Sequence, residues 1–169
     1  MTNAAPEPTE AEPKRLTRRD LVAKLRGALE HADPGTLAAL RRAKPTSPPA
    51  AFYRLATSVL DEHLARVAEN GSCRDDLESK WTVILSAMAT GLGLLAAVPL
   101  GEALEMRVLR LLEAQPGQLP ELVRTAVHQL VQKGQPFNPN DLADLVLARD
   151  DDRGPRRNIA RSYYRHADT

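Results

Sequence analysis

The chain has 169 residues, a formal net charge of +1 and one cysteine, which excludes an internal disulfide framework and a cysteine-based metal cluster. Its composition, 43% hydrophobic but only 4% aromatic, favours packed helices with a core of Leu, Ala and Val. Residues Lys14–Arg54 include ten Lys/Arg and three Asp/Glu, which give a net charge of +7. Residues Leu55–Met106 include three Lys/Arg and eight Asp/Glu, which give a net charge of −5. Local fields should therefore select the binding partners.

The first two helices are predicted from their start signals. Residues 1–13 lack the basic start and apolar run of a signal peptide, so we predict a disordered tail and, with the low cysteine content, a cytoplasmic protein. The segment Thr17-Arg18-Arg19-Asp20 has the pattern of a capping box, and the leucines that follow it at every fourth residue predict a helix to about Glu30. Asp33 can cap a second helix with Pro34 at its first position.

Two longer helices follow a stiff, proline-rich linker at residues 44–49. An apolar stripe predicts a third helix over about residues 50–69, which Asn70-Gly71 should end. A fourth stripe contains Trp81, which we assign to the core because it has the largest apolar surface in the chain. Two glycines and a proline interrupt the apolar segment from Trp81 to Leu100, which predicts a buried hairpin rather than a membrane span.

Four further helices are predicted in the C-terminal part of the chain. The first two begin near Leu100 and Leu122, and the second of them should end at Gly134. A shorter one should follow Asn138-Pro139-Asn140, and the last should follow Gly154-Pro155, with Ile159, Ala160, Tyr163 and Tyr164 facing inward. Since no alternating strand pattern is present, we predict an all-α fold with about eight helices in two small helical-bundle lobes, residues 14–73 and 74–169.

The residues of known catalytic and metal sites do not occur here in a recognisable spacing. The four histidines form neither an H-E-x-x-H pair nor a Cys/His zinc pattern, and the acidic runs are best interpreted as solvated helix ends. No nucleophile elbow or phosphate-binding loop is present, and Gly91-Leu92-Gly93 lacks the third glycine of a dinucleotide fingerprint. We therefore predict no metal, no cofactor and no enzymatic activity.

Arginines are the strongest candidates for a functional site. Arg157, Arg161 and Arg165 recur every four residues, so one helix side would present three guanidinium groups over about 12 Å, enough to follow several phosphates. Such a row is equally compatible with an ordinary solvated helix face. The other candidate nucleic-acid residues are Arg41, Arg42, Arg54, Arg107, Arg110, Arg153 and Arg156.

Five segments in order resemble the CasB family, the small subunit of the type I-E CRISPR surveillance complex Cascade. No single segment is diagnostic, but their order and spacing together make the resemblance specific. The segments are Leu40-Arg41-Arg42, Ala51-Phe52-Tyr53-Arg54-Leu55, Leu100-Gly101-Glu102-Ala103-Leu104 with Arg107–Leu112, Pro136-Phe137 before Leu142-Ala143-Asp144-Leu145, and Ala160-Arg161-Ser162-Tyr163-Tyr164.

The resemblance implies a helical, non-enzymatic subunit that is present as a pair in Cascade and contacts its backbone and large subunits. Family members help to hold the heteroduplex of guide RNA and target DNA and the displaced DNA strand, while the guide RNA recognises the sequence. By position, Arg42, Arg107 and Arg124 match the family's nucleic-acid face, and Arg153, Arg156 and Arg157 match its basic C-terminal loop.

Two other functions remain open on the sequence. A helical protein-interaction adaptor would use the same arginines against acidic protein surfaces. A helix-turn-helix DNA regulator would prefer particular duplex sequences, although the segments show no clear pair of helices for that role.

Overall fold

The computed structural model describes residues 17–44, 48–69, 74–103 and 119–147, together with Ile159, Arg161, Tyr163 and Tyr164. Within these ranges the chain forms α-helices and one 3₁₀ turn at Leu92–Leu94, and it forms no strand, which confirms the predicted all-α class. The helices are α1 (Arg18–Glu30), α2 (Pro34–Arg41), α3 (Ala50–Glu69), α4 (Arg74–Thr90), α5 (Leu100–Ala103), α6 (Leu119–Gln132) and α7 (Pro139–Leu147).

The starts of α1 and α2 confirm the start signals in the sequence. The Thr17 hydroxyl accepts a hydrogen bond from the Asp20 amide at 3.2 Å, and the Asp20 carboxylate accepts one from the Thr17 amide at 2.9 Å. This pair is the predicted capping box. At α2 the Asp33 carboxylate accepts from the Thr36 amide at 2.9 Å, and Pro34 occupies the first helical position. Free amides at both helix starts are thus satisfied by side chains.

Helix α4 is the centre of the described fold. It packs against α2, α3, α6 and α7, and every residue from Trp81 to Ala89 is buried. A helix that is apolar on all sides belongs inside a protein, which explains why this part of the sequence shows no polar face. The two polar side chains in this stretch make hydrogen bonds: the Thr82 hydroxyl donates to the Glu78 carbonyl at 2.7 Å, and the Ser86 hydroxyl donates to the Arg41 carbonyl at 3.4 Å.

A turn at Gly91 directly follows α4. A side-chain carbon at this position would lie 2.8 Å from the Phe137 ring, so only glycine allows the ring to pack against the backbone here. The Phe137 amide donates to the Leu94 carbonyl at 3.0 Å, and the Ala96 amide donates to the Phe137 carbonyl, also at 3.0 Å. The predicted buried hairpin is correct only for its first half: α4 is buried from Trp81 to Ala89, but the segment after Gly91 pairs with Phe137 and has exposed residues at Gly93 and Ala97. No helix of the described part of the chain could cross a membrane.

Side-chain and backbone caps also order the C-terminal helices. After α6, Gly134 has a positive φ of 64°, the Gln135 amide donates to the Leu130 carbonyl at 2.9 Å, and the Gly134 amide donates to the Val131 carbonyl at 3.1 Å. These two bonds form a Schellman motif, which confirms the predicted stop. The Asp141 carboxylate of α7 accepts from the Leu100 amide at 2.9 Å and so joins the start of α5 to α7.

The buried residues of the described helices form one continuous core, which extends from Leu21 in α1 to Val146 in α7 and Ile159. The boundary between two lobes at residue 73 stays a prediction, as do the tail, the Asn70-Gly71 stop and the Gly154-Pro155 start, which lie outside the described residues. Tyr164 differs from the expectation of an inward position because it is 48% exposed, whereas Ile159 is buried. Ile159 and Tyr163 are four positions apart and share the inner side of a helix, which leaves Tyr164 outward.

Candidate nucleic-acid interface

Helices α2, α4 and α6 line a small pocket with a cavity volume of about 20 Å³, which we call the arginine pocket. Two predicted nucleic-acid residues that are far apart in sequence, Arg41 from α2 and Arg124 from α6, meet there. Helix α4 contributes buried residues to the lining of the same pocket. The residues that line the pocket are Arg41, Ala43, Val83, Ser86, Ala87, Thr90, Val123, Arg124, Val127 and His128.

Both pocket arginines are held by backbone carbonyls near the ends of helices. Arg41 Nε donates to the carbonyl of Ala89 in the last turn of α4 at 3.0 Å, and Arg124 Nη2 donates to the carbonyl of Ala43, just beyond α2. Carbonyls at a helix C-terminus lack helical partners and carry partial negative charge, so a guanidinium is favoured there. These bonds give Arg41 a structural purpose that is not apparent from its position before a helix break.

The same bonds leave most of the hydrogen-bonding capacity of each guanidinium to other partners. A guanidinium has five N–H donors, and the described hydrogen bonds use one donor of Arg41 and one of Arg124. Since a backbone carbonyl holds each guanidinium in place, an anion that bound here would cost less conformational entropy. No Asp or Glu is among the described residues that line the pocket.

Arg42 and Arg54, also predicted site residues, lie outside the arginine pocket. Arg42 caps the end of α2, and its Nε donates to the Ala38 carbonyl of the same helix at 3.3 Å. Arg54 is exposed on α3, and its charge acts on Asp33. The pKa of the Asp33 carboxyl lies below its ordinary value, chiefly because the Thr36 side chain and amide donate hydrogen bonds to it, with a further contribution from the charge of Arg54.

The other predicted site residues lie outside the described part of the chain, so their role in a nucleic-acid interface stays a prediction. Of the predicted row on the last helix, Arg161 is described, and it is exposed. The site residues outside the described ranges are Arg107, Arg110, Arg153, Arg156 and Arg157.

The structure adds His128 to the arginine pocket, a residue that the sequence analysis considered only as a metal ligand. His128 is exposed and lines the pocket one helical turn after Arg124. The spacing of four residues in α6 is a signal that could have identified it, because side chains at i and i+4 lie on the same helix side. Among the described residues, no group of three or more His, Cys, Asp or Glu side chains is placed to hold a metal ion.

A second groove lies between α3 and the side of α4 that carries Glu78, and we call it the acidic groove. Its cavity volume is about 20 Å³, and its lining includes Asp61 from α3 and Glu78 from α4 but no Lys or Arg among the described residues. The hydroxyl of Tyr53 donates to Glu78 Oε2 at 3.1 Å across the two helices. The lining residues are Phe52, Tyr53, Ala56, Thr57, Leu60, Asp61, Leu64 and Glu78.

The chain matches one family model, described as CRISPR-associated protein Cse2, over residues 36–164, which is more than half of its length. The match begins within α2 and includes α4 and α6, and therefore covers both pocket arginines. No curated protein sequence and no solved structure matches the chain significantly.

Proposed function

This chain belongs to the CRISPR-associated protein Cse2 family, also called CasB, the small subunit of type I-E Cascade, and from this premise we propose that it holds the nucleic-acid backbone of the R-loop without catalysing a reaction. The observation that carries the proposal is the arginine pocket. There, two guanidinium groups from different helices flank one opening whose described lining contains no carboxylate.

The proposed mechanism is electrostatic and independent of base sequence. The guide RNA recognises the target by base pairing, and the exchange of a DNA duplex for an RNA–DNA heteroduplex is nearly balanced in free energy. A few additional phosphate contacts are therefore enough to shift the equilibrium towards the open R-loop. Arginine suits this task because its planar group can donate two hydrogen bonds to one phosphate.

The wider interface of the proposal includes the predicted arginines outside the pocket. Arg107, Arg110, Arg153, Arg156 and Arg157 would extend the contact along the displaced strand or the heteroduplex, as the family resemblance implies. We further propose that the subunit contacts the backbone and large subunits of the complex and a second copy of itself.

The test is R-loop retention by Cascade that contains the double variant Arg41→Gln/Arg124→Gln. Each glutamine removes one positive charge, so the plot of log affinity against log salt for target DNA should become shallower by about 1.4 to 1.8. The measurement is equilibrium binding of target duplex at several salt concentrations, together with the lifetime of the R-loop.

Two controls separate loss of binding from loss of assembly. Arg18→Gln removes an exposed arginine that pairs with Asp144 at 2.9 Å and does not line the pocket, so its salt slope should stay close to that of wild type. Co-purification of the guide RNA and the other subunits shows that the variant complex has assembled. An unchanged slope in an assembled double-variant complex would refute the proposed role of the pocket.

A further inference from the structure

Tyr164 is one of two large aromatic side chains that the described part of the chain leaves exposed. It is 48% exposed, whereas its neighbour Tyr163 is half-buried and packs against the hydrophobic core. The two rings stand at 88° to one another with their centroids 5.3 Å apart, which is an edge-to-face arrangement. In such an arrangement one ring covers at most one flat side of the other. Tyr164 therefore keeps at least one flat side that Tyr163 does not cover.

A positive charge lies beside this ring. Arg161 is exposed and, like Tyr164, helical, and it precedes Tyr164 by three positions, so the two side chains begin about 5–6 Å apart. Helical side chains lean towards the helix N-terminus, so the Tyr164 ring extends towards the turn that carries Arg161. Proteins that bind single-stranded nucleic acid combine such groups, because a ring stacks on a base while a cation contacts the backbone.

The other exposed aromatic side chain, Tyr53, has different surroundings. It is 44% exposed, but it lines the acidic groove together with Asp61, and its hydroxyl donates to Glu78 at 3.1 Å. Arg54 is the next residue, and consecutive helical positions do not face each other. Carboxylates beside a ring repel the phosphates that flank a stacked base. An exposed ring alone indicates no ligand, and the neighbouring cation is what distinguishes Tyr164.

We propose that Tyr164 stacks on an unpaired nucleobase and that Arg161 contacts an adjacent phosphate of the same DNA strand. The inference rests on the proposed function and adds to it a contact with bases, which the arginines do not supply. Bases of the heteroduplex are paired, whereas those of the displaced strand are not. This contact therefore belongs to the displaced strand. Because every base has a flat aromatic surface, the contact does not depend on base sequence.

The test compares two single-stranded probes of equal length, oligo(dT) and the same sugar-phosphate backbone without bases. Fluorescence anisotropy of end-labelled probes measures their binding to the purified full chain. Tyr164→Leu should weaken oligo(dT) binding about five- to twenty-fold, the effect of losing one stacked base. It should leave abasic binding and the salt slope of both probes unchanged, because the phosphate contacts remain. Tyr164→Phe keeps the ring and should bind both probes as wild type does.

Two further variants serve as controls. Arg161→Gln removes one charge, so the slope of log affinity against log salt should become shallower by about 0.7 for both probes. Tyr53→Leu removes the other exposed ring, and the ratio of the affinities for oligo(dT) and the abasic probe should stay that of wild type. This ratio is the decisive quantity, because a partly unfolded variant would lose affinity for both probes alike.

The outcomes distinguish this inference from the proposed function. If Tyr164→Leu keeps the wild-type ratio, if Tyr164→Phe lowers the ratio as Tyr164→Leu does, or if wild type binds both probes equally, the inference is overturned. Each of these results stands even when the double variant Arg41→Gln/Arg124→Gln weakens R-loop retention. If the ratio falls as expected but assembled Cascade with that double variant keeps its salt slope, the stacking contact is supported and the proposed role of the arginine pocket fails.

Discussion

Two sides of α4 are lined by residues of opposite charge, although both sides rest on the same hydrophobic core. On one side, Arg41, Arg124 and His128 surround the arginine pocket, and on the other, Asp61 and Glu78 line the acidic groove. The buried residues of α4 belong to the same core as the helices on both sides. Under the proposed function, a polyanion would bind on the side of the arginine pocket, and one central helix would then orient the subunit on a nucleic acid.

Polar groups in the arginine pocket and in the acidic groove have different hydrogen-bond partners. In the arginine pocket, the guanidinium groups donate to backbone carbonyls and retain further donors. In the acidic groove, the Tyr53 hydroxyl donates to the Glu78 side chain, and the Thr57 hydroxyl donates to the Tyr53 backbone carbonyl. We therefore expect substitutions on the pocket side to affect both stability and anion binding, and those on the groove side to affect stability alone.

The largest expected effect is on the buried core of α4, against which both the arginine pocket and the acidic groove are built. Trp81→Ala removes a fully buried side chain from α4, and it should lower the free energy of unfolding by about 3–5 kcal/mol because the core cannot close over so large a cavity. Urea unfolding measures this change. Lys80→Ala, at the neighbouring position with a partly exposed pair to Asp76 at 3.4 Å, should cost less than about 0.5 kcal/mol. Equal costs would contradict the central position of α4.

Two glycine substitutions test the close packing directly after α4. Gly91→Ala places a methyl group 2.8 Å from the Phe137 ring, and the resulting displacement should cost about 1–3 kcal/mol in the free energy of unfolding. Gly93→Ala is the matched control, because a side-chain carbon there meets nothing within 4 Å. A change within about 0.5 kcal/mol is expected for the control. If the two variants unfold at the same urea concentration, the close packing at Gly91 is wrong.

Local sequence signals predicted the helices well, whereas the arginine pocket could be identified only from the folded chain. The Thr17 capping box, the Asp33 cap and the Gly134 stop each depend on residues within five positions of one another, so the sequence contains their full chemistry. Arg41 and Arg124 are brought together by the packing of α2 and α6 against α4, which no local pattern specifies. For the same reason, the sequence could not show that the charge of Arg54 acts on Asp33.

An arginine on the pocket side should contribute to stability as well as to binding. Arg124→Gln removes the half-buried bond to the Ala43 carbonyl, and we expect a loss of about 1–2 kcal/mol in the free energy of unfolding. Arg42→Gln is a suitable control, because Arg42 is exposed and bonds only to its own helix among the described contacts. It should cost less than about 0.5 kcal/mol. An equal, small cost for both would show that the Ala43 bond has no net effect.

On the groove side, Tyr53→Phe removes only the hydroxyl that donates to Glu78. Because both groups reach solvent, water replaces the lost bond, and the free energy of unfolding should fall by about 0.5 kcal/mol. The salt dependence of oligo(dT) binding should not change, in contrast to Arg124→Gln. A changed slope would mean that the groove also contacts the nucleic acid, and the separation of the two sides would be lost.

The smallest expected effect concerns Arg54, which lines neither pocket and acts on the cap of α2. Hydrogen bonds from Thr36 and the charge of Arg54 lower the pKa of Asp33 in the folded chain, whereas an unfolded aspartate titrates near about 3.9. The ionised cap therefore stabilises the fold above about pH 4, and this contribution is lost as the pH falls through the lower, folded value. Asp33→Asn keeps the cap acceptor without the charge, so its urea midpoint should fall less on acidification than that of wild type. Thr36→Val removes the hydroxyl donor and should give an intermediate dependence, and parallel curves for all three proteins would exclude Asp33 as a source of acid sensitivity.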